Sequence, residues 1–473
     1  MKKHKLDIII SVNSEINEIL LYSLFYLDTN KRSWYPIDMD NNHVYDYDKY
    51  IFHIDVNSAF LSWSALKQLR EEPDGVDLRT IPSAVGGDVK KRHGIITAKS
   101  IPAKKYGIVT GEPVVKALEK CPHLVLVQSD FNTYREYSHA FISILNKYSP
   151  LVQQMSIDEA FVDISGLKEI YGYLETPDAP FPICLAQKIK NEIRDTLGFT
   201  VNVGISCNKL LAKMASDFTK PDKIHTLFPE EVPDKMWPLP IGDLFGCGRQ
   251  TANRLQSLGI KTIGDAATSD PEMLISFLGA NSGSYIYRSA NGFGSADVTD
   301  TYEDAKSYSN ETTLKNDLTA DGYDKDIVPV LKYLAGKVSE RLKKDKVYGR
   351  TITVSVKTGN FKRHSAQLQL ESSICDEQRI YKYSKELCDK LLLGDEGLFI
   401  KGETVRLVGV GLSKLDDGSY QQMNLFDSNL LSQGDSNYTK ATVPDRDKQK
   451  KLDAMTEKLQ KEFGKDIIKK GHL

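Results

Sequence analysis

Residues 153–162 read QQMSIDEAFV, and residues 51–56 read IFHIDV. In the second stretch Asp55 follows the apolar, strand-like run Ile51, Phe52, His53 and Ile54. In the first, Asp158 and Glu159 stand between Gln153, Gln154, Met155 and the apolar Ala160, Phe161 and Val162. That is the pattern of a hairpin over about 151–165 with acids at its bend. Paired on one sheet, the two stretches hold three carboxylates at one point. Three carboxylates in a cleft do not stay ionised together without cations to neutralise them. One or two Mg²⁺ ions are the usual remedy, and Mg²⁺ normally works with a phosphorylated substrate. Metal-dependent phosphoryl chemistry is the first expectation. An isolated Asp-Glu pair more often caps a turn; Asp55 is what raises this one above that reading.

Outward from these stretches the chain alternates strand and helix. The strand at 51–56 leads into a helix with Phe60, Trp63, Leu66 and Leu69 at three- and four-residue spacing. Strand-like runs follow at 95–98 and 124–128, then an amphipathic helix from Tyr134 to Tyr148. Beyond the hairpin come a helix at 183–197, a strand at 200–205 and a helix from Lys209 to Phe218, stopped by Pro221. This is an α+β sheet domain covered by helices. Residues 241–258 read as two short helices joined by a Gly-x-Gly hairpin, with Gly259 as stop. Residues 301–312 are polar and aperiodic, which suggests a linker. A small α/β domain follows over 313–415, with a helical run at 327–342 and β-rich runs at 351–356 and 404–410. Residues 1–49 read as an extension, within which Met39 is an alternative start, and residues 416–473 as a polar tail.

At 473 residues the chain has room for two or more domains. Its hydrophobic content of 40% and charged content of 27% are those of a soluble globular protein. A net charge of −2 excludes a uniformly basic coat. Locally, residues 341–363 carry eight Lys or Arg against the single acid Asp345. The six cysteines are scattered without a C-x-x-C pair, which suits reduced thiols. Neither a signal peptide nor a membrane span is legible, so the expected location is cytoplasmic.

Four motifs in order carry a family resemblance: Asp55 to Phe60 (DVNSAF), Ser156 to Phe161 (SIDEAF), Gly204 to Lys209 (GISCNK) with Lys220-Pro221, and the Gly246-Cys247-Gly248 hairpin. The chain resembles the Y-family translesion DNA polymerases, and from about residue 50 to 427 it is similar to their bacterial DinB (polymerase IV) type. The resemblance implies a right-hand polymerase: palm and fingers over 50–227 (fingers about 59–125), a helical thumb with a helix-hairpin-helix over 228–300, and a little finger beyond the linker. It implies that Asp55, Asp158, Glu159 and the Val56 carbonyl bind two Mg²⁺ ions, and that Phe60 is a steric gate against ribonucleotides. By the same resemblance Lys104 and Lys220 contact the triphosphate, and Gly246, Gly248 and Arg249 contact DNA phosphates. Lys357, Lys362 and Arg363 would track the duplex, and Gln422, Leu425 and Phe426 would bind the sliding clamp.

Read residue by residue, Phe60 could equally be a core phenylalanine, Lys104 and Lys220 solvated lysines, and Gly-x-Gly an ordinary turn. Two departures stand out. The family's Tyr-x-x-Arg is here Ile101-Pro-Ala-Lys104, which exchanges a bidentate fork for a point charge. Asn57 replaces an aspartate common in the DinB branch, and both features lie closer to the UmuC type. The expected activity is low-fidelity DNA synthesis past lesions by a monomer acting on primer-template DNA and dNTPs, with no membrane association. Two rivals are a catalytically silent DNA- and clamp-binding accessory protein and a two-metal nucleotide cyclase.

Overall fold

The computed structural model describes residues 48–87, 94–301 and 304–418, with the backbone of 26–27 and 34–35. The expected clamp peptide, Gln422, Leu425 and Phe426, lies outside the described residues, as does most of the N-terminal extension. The chain divides into two units, one ending at Asp304 and one beginning at Ala305.

The first unit contains β1 (Ile51–Val56), α1 (Ala59–Glu71), β2 (Ser83–Gly86), β3 (Ile96–Lys99), β4 (Val125–Val127), α2 (Phe131–Tyr148), β5 (Val152–Gln154), β6 (Glu159–Asp163), α3 (Phe181–Leu197), β7 (Val201–Ser206), α4 (Lys209–Asp217) and β8 (Ile224–Thr226). Five strands form one sheet in the order β8-β7-β1-β6-β5, antiparallel except for the β8–β7 pair. Side chains alternate across a strand, and here the alternation separates core from site. Phe52, Ile54 and Val56 of β1, Ala160 and Val162 of β6, and Val201, Val203 and Ile205 of β7 join one core with α2 and α3. The opposite face carries Ile51 and Phe161, packed with Ala212 of α4. His53 and Asp55 share that face by the same alternation. The sequence reading of an α+β sheet domain covered by helices is therefore met, with the acid-bearing hairpin β5–β6 at one edge of the sheet.

Helix α4 lies unusually close to the sheet. A Cβ on Gly204 of β7 would stand 2.0 Å from Ala212 O and 2.4 Å from Ser216 N. No side chain can occupy that point without lifting α4 off β7. Gly204→Ala is expected to destabilise the protein by about 3 kcal/mol or more, at or above the upper end of ordinary overpacking. Chemical denaturation would measure it, and a variant as stable as wild type would remove Gly204 as the reason for the close approach.

A second, three-stranded sheet places β2 between β3 (antiparallel) and β4 (parallel). These elements cut across the expected fingers span of 59–125. Trp63 of α1 is fully buried in the core of the five-stranded sheet, whereas β4 up to Val127 closes the smaller sheet. After β8, a 3-10 turn at Ile241–Asp243 and the helices α5 (Arg249–Ser257), α6 (Pro271–Leu278) and α7 (Ala280–Ala290) build a helical region around Ile241, Leu255, Leu274 and Ile286. The first helix of the expected helix-hairpin-helix is thus only a 3-10 turn.

The second unit contains β9 (Ser307–Leu318), α8 (Val328–Lys344), β10 (Tyr348–Thr358), β11 (Arg363–Ile374), α9 (Glu377–Leu393) and β12 (Val405–Asp416). Its strands order as β9-β12-β10-β11, all antiparallel. Ile352, Val354, Val356, Val408 and Val410 on one face pack under Leu331, Val338, Ile380 and Leu387 of the helices. The linker expected at 301–312 is corrected here, because β9 starts at Ser307 and pairs with Ser413. As an edge strand β9 buries only Tyr308 and Leu314 deeply, which is why it shows so little apolar periodicity.

Candidate active site

Asp55 and Glu159 are direct cross-strand partners on β1 and β6. The bend between β5 and β6 is drawn onto β1 by a hydrogen bond from Val56 N to Asp158 O at 3.0 Å. Inside the bend Ser156 Oγ donates to Asp158 Oδ1 at 2.6 Å. The three acids expected to act together are neighbours and act on one another. Burial first, then the charges of Asp55 and Glu159, push the Asp158 carboxyl above the ordinary aspartate range.

The carboxylates do not close into a ready cage. Among the described residues no group of three or more His, Cys, Asp or Glu is arranged to hold a metal ion. Lysines stand against them instead. Lys213 Nζ of α4 lies 2.7 Å from Glu159 Oε2 and 3.4 Å from Asp55 Oδ2. Lys220 Nζ lies 3.0 Å from Asp55 Oδ2 and 2.9 Å from Asp217 Oδ1. Burial opposes the charge on both lysines, but their carboxylate partners outweigh it and hold both above the usual lysine range.

His53 stands behind the acids, with Nδ1 at 2.8 Å from Ser216 Oγ and Nε2 facing Glu159 Oε2 at 3.4 Å. Burial lowers the His53 pKa. This ring first, then the Lys213 ammonium, holds Glu159 down at about 2 against the opposing effect of its own burial. An ammonium already drawn to the carboxylate oxygens of Asp55 and Glu159 indicates a site built for positive charge. Carboxylate oxygens are also the hard donors that Mg²⁺ takes, so the donor set fits the expected metal.

Asp55, Val56 and Asp158 open onto a cleft of about 480 Å³, also lined by Asn57, Phe60, Arg79, Lys99, Lys104, Lys220 and Pro221. The structure therefore brings Asp55 and Asp158 together with the expected gate and both expected triphosphate lysines. Phe60 is half-buried; its ring stacks on Tyr134 at 4.6 Å between centroids, with Trp63 at 6.2 Å. Tyr134 is itself fixed by a 2.9 Å hydrogen bond between its hydroxyl and Ser64 Oγ. Lys104 ends a short helix capped by Ser100 Oγ, which accepts from Ala103 N at 3.0 Å. Ile101, in place of the family's tyrosine, is exposed at the cleft.

Sequence reading missed His53, Arg79, Lys99 and Lys213. Burial and then the charge of Lys104 push Lys99 below the usual lysine range, so the two cations crowd each other where an anion would relieve them. Lys99 closes a strand immediately before the capping Ser100, which was its only local signal. Arg79 is pinned by the Asp77 carboxylate at 2.8–3.1 Å and by Gly198 O at 2.7 Å. Lys213 sits between the buried Ala212 and Met214; a lysine in that setting needs a carboxylate partner.

The other expected contacts separate. Gly246 has φ +82°, and a Cβ there would meet Tyr285 Oη at 2.5 Å, so this glycine serves the turn itself. Gly248, the residue before α5, has open space around its missing Cβ, and Arg249 is exposed. Among the described residues Lys357 and Lys362 form no ion pair with a carboxylate, but Arg363 Nη2 lies 2.7 Å from Glu311 Oε2 of β9. The expectation of few acids nearby is corrected there, because sheet formation imports Glu311 from a strand distant in sequence. No helix among the described residues is long and apolar enough to cross a membrane.

Comparison with known proteins agrees with this architecture. Residues 54–217 match the impB/mucB/samB family and residues 305–425 the C-terminal domain of that family. A DNA polymerase IV of Clostridium acetobutylicum is 38% identical over 89% of this chain and 97% of its own length. DNA polymerase IV 1 of Bacillus subtilis is 32% identical over 89% of this chain and 92% of its own length. A solved Y-family DNA polymerase chimera aligns with a TM-score of 0.64 at 26% identity, covering 77% of this chain and 98% of that one. Nothing in these comparisons supports the silent accessory protein. With the carboxylate-bearing sheet, the lysine-lined cleft and relatives of this name across nearly the whole chain, the protein belongs to the Y-family DNA polymerases, beside the DNA polymerase IV proteins.

Proposed function

We propose that this chain extends a primer 3′-hydroxyl with dNTPs on a DNA template and continues past damaged bases with low fidelity. The observation that carries the reading is the single cleft in which Asp55 and Asp158 face Phe60, Lys99, Lys104 and Lys220. Two Mg²⁺ ions held by Asp55, Asp158, Glu159 and the Val56 carbonyl would activate the primer hydroxyl and stabilise the leaving pyrophosphate. The protein's own groups do the rest. Lys99, Lys104 and Lys220 bind the triphosphate, and relief of the Lys99–Lys104 repulsion favours that anion over a neutral ligand. Phe60, backed by Tyr134, lies against the sugar and excludes a 2′-hydroxyl. The Gly248 and Arg249 amides meet a DNA phosphate at the start of α5, where the helix end favours negative charge. Gln422, Leu425 and Phe426 tether the enzyme to a sliding clamp, which raises its effective concentration on the template. The protein works in the cytoplasm as a monomer.

Primer extension on undamaged and abasic templates tests this, with Mg²⁺ present and then chelated. Extension that passes the abasic site and stops on chelation is the expected result; a metal-supplied enzyme that extends neither template overturns the reading. Lys357 and Lys362 on the second unit supply duplex contacts. A Lys357→Ala/Lys362→Ala variant is expected to flatten the log–log dependence of DNA affinity on salt by roughly 0.9 per lost phosphate contact. Anisotropy titrations at several salt concentrations measure this, and an unchanged slope would take both lysines off the DNA.

A further inference from the structure

The Lys213 ammonium contacts Glu159 Oε2 and Asp55 Oδ2, two oxygens that an incoming metal ion would have to claim. Its side chain is 12% exposed. Lys213 does not line the nucleotide cleft, unlike Lys220, so it reaches the carboxylates from behind, through α4. Gly204 allows that approach by letting α4 lie directly on β7. A further acceptor is already within reach. Asp217, one turn along α4, has Oδ2 at 3.6 Å from Lys213 Nζ and a half-exposed side chain.

We propose that Lys213 is the resident counter-ion of the metal-free centre, which the metal must displace, and that Asp217 receives the displaced ammonium. This rests on the metal-binding reading of Asp55, Asp158 and Glu159. Without metal, the lysine neutralises acids that would otherwise repel one another and loosen the bend at Ser156 to Asp158. When metal enters, the same ammonium is a like charge a few ångströms away and must turn aside. Lys213 thereby stabilises the empty enzyme and raises the metal concentration needed to load it. Metal then loads best when it arrives with the anionic triphosphate, which brings the missing negative charge.

The test follows thermal unfolding during Mg²⁺ titration of the full chain without DNA or nucleotide, then primer extension against Mg²⁺ concentration. Wild type is compared with Lys213→Met, Lys213→Gln, Lys213→Arg and Asp217→Asn. The Met and Gln variants are expected to unfold at lower temperature in chelator and to respond at roughly tenfold lower Mg²⁺, the size expected of one like charge in a half-buried site. Lys213→Arg keeps the charge and the wild-type midpoint, while Asp217→Asn moves the midpoint upward. Coincident midpoints for wild type, Met and Gln overturn the proposal. So does a shift of the Met and Gln variants to higher Mg²⁺, which would make Lys213 an aid to metal binding. A wild type that neither responds to Mg²⁺ nor extends a primer fails earlier, at the metal-binding reading.

Discussion

Asp158→Ala is expected to lower the rate of primer extension by roughly 10³-fold or more, since one preorganised electrostatic group alone is worth about 10²–10³ in rate. The loss should fall on the chemical step. Asp158 opens onto the cleft with Asp55, and its backbone carbonyl, which docks the bend on Val56 N, is untouched by the substitution. Stability should move the other way. The Asp158 carboxyl is raised by burial and by two negative neighbours, so in its ionised form it opposes folding. An acid whose pKa is raised in the folded state weakens folding above its unfolded pKa and not below it. Asp158→Asn is therefore expected to be inactive yet at least as stable as wild type near neutral pH, with the gain shrinking as pH falls through the raised value toward the ordinary aspartate range and gone below it. Single-turnover extension at saturating Mg²⁺ and dNTP, with unfolding midpoints at several pH values, measures both. A folded Asp158→Ala protein that retains more than a tenth of the activity would remove Asp158 from the reaction.

The second large effect is one of selectivity. Phe60→Ala is expected to raise ribonucleotide incorporation relative to deoxynucleotide by roughly 10²-fold, near the top of what steric discrimination in an apolar pocket supplies. The ring can act as a wall because Tyr134 stacks behind it at 16° between planes and Ser64 holds Tyr134 in place. With retreat blocked, a 2′-hydroxyl brought against the ring would clash. Phe60 also packs against the core of the five-stranded sheet, and the alanine variant will lose some stability. That loss scales both nucleotides together and leaves their ratio alone. Incorporation of paired dNTP and rNTP on one template reads the ratio. If it stays constant while overall activity drops, Phe60 is a packing residue and the gate lies elsewhere.

Most of the candidate site was legible because its residues sit in short, ordered motifs whose local roles do not depend on distant partners. Asp55 at the end of an apolar strand and Asp158-Glu159 at a hairpin bend already imply converging charge, and pairing of β1 with β6 only sets their register. The second unit was harder to read at its start, because β9 buries only Tyr308 and Leu314 deeply and so carries too few apolar residues to show the alternation of a half-buried strand. In sequence Arg363 reads as part of a basic strip because the acid that meets it, Glu311, is 52 residues away.

By itself the sequence determined an α+β chain with a carboxylate-bearing hairpin, a Gly-x-Gly turn and a separate β-rich unit, all of them local patterns of polarity and turn chemistry. Only the tertiary structure decided which cations answer those carboxylates. Lys213 becomes a site residue because Gly204 has no side chain and α4 can settle on the sheet; His53 does because alternation on β1 turns it to the same face as Asp55. Charge pairing acts over a few ångströms of space, and a lysine 54 residues along the chain from its glutamate shows no trace of that pairing until the fold brings the two together.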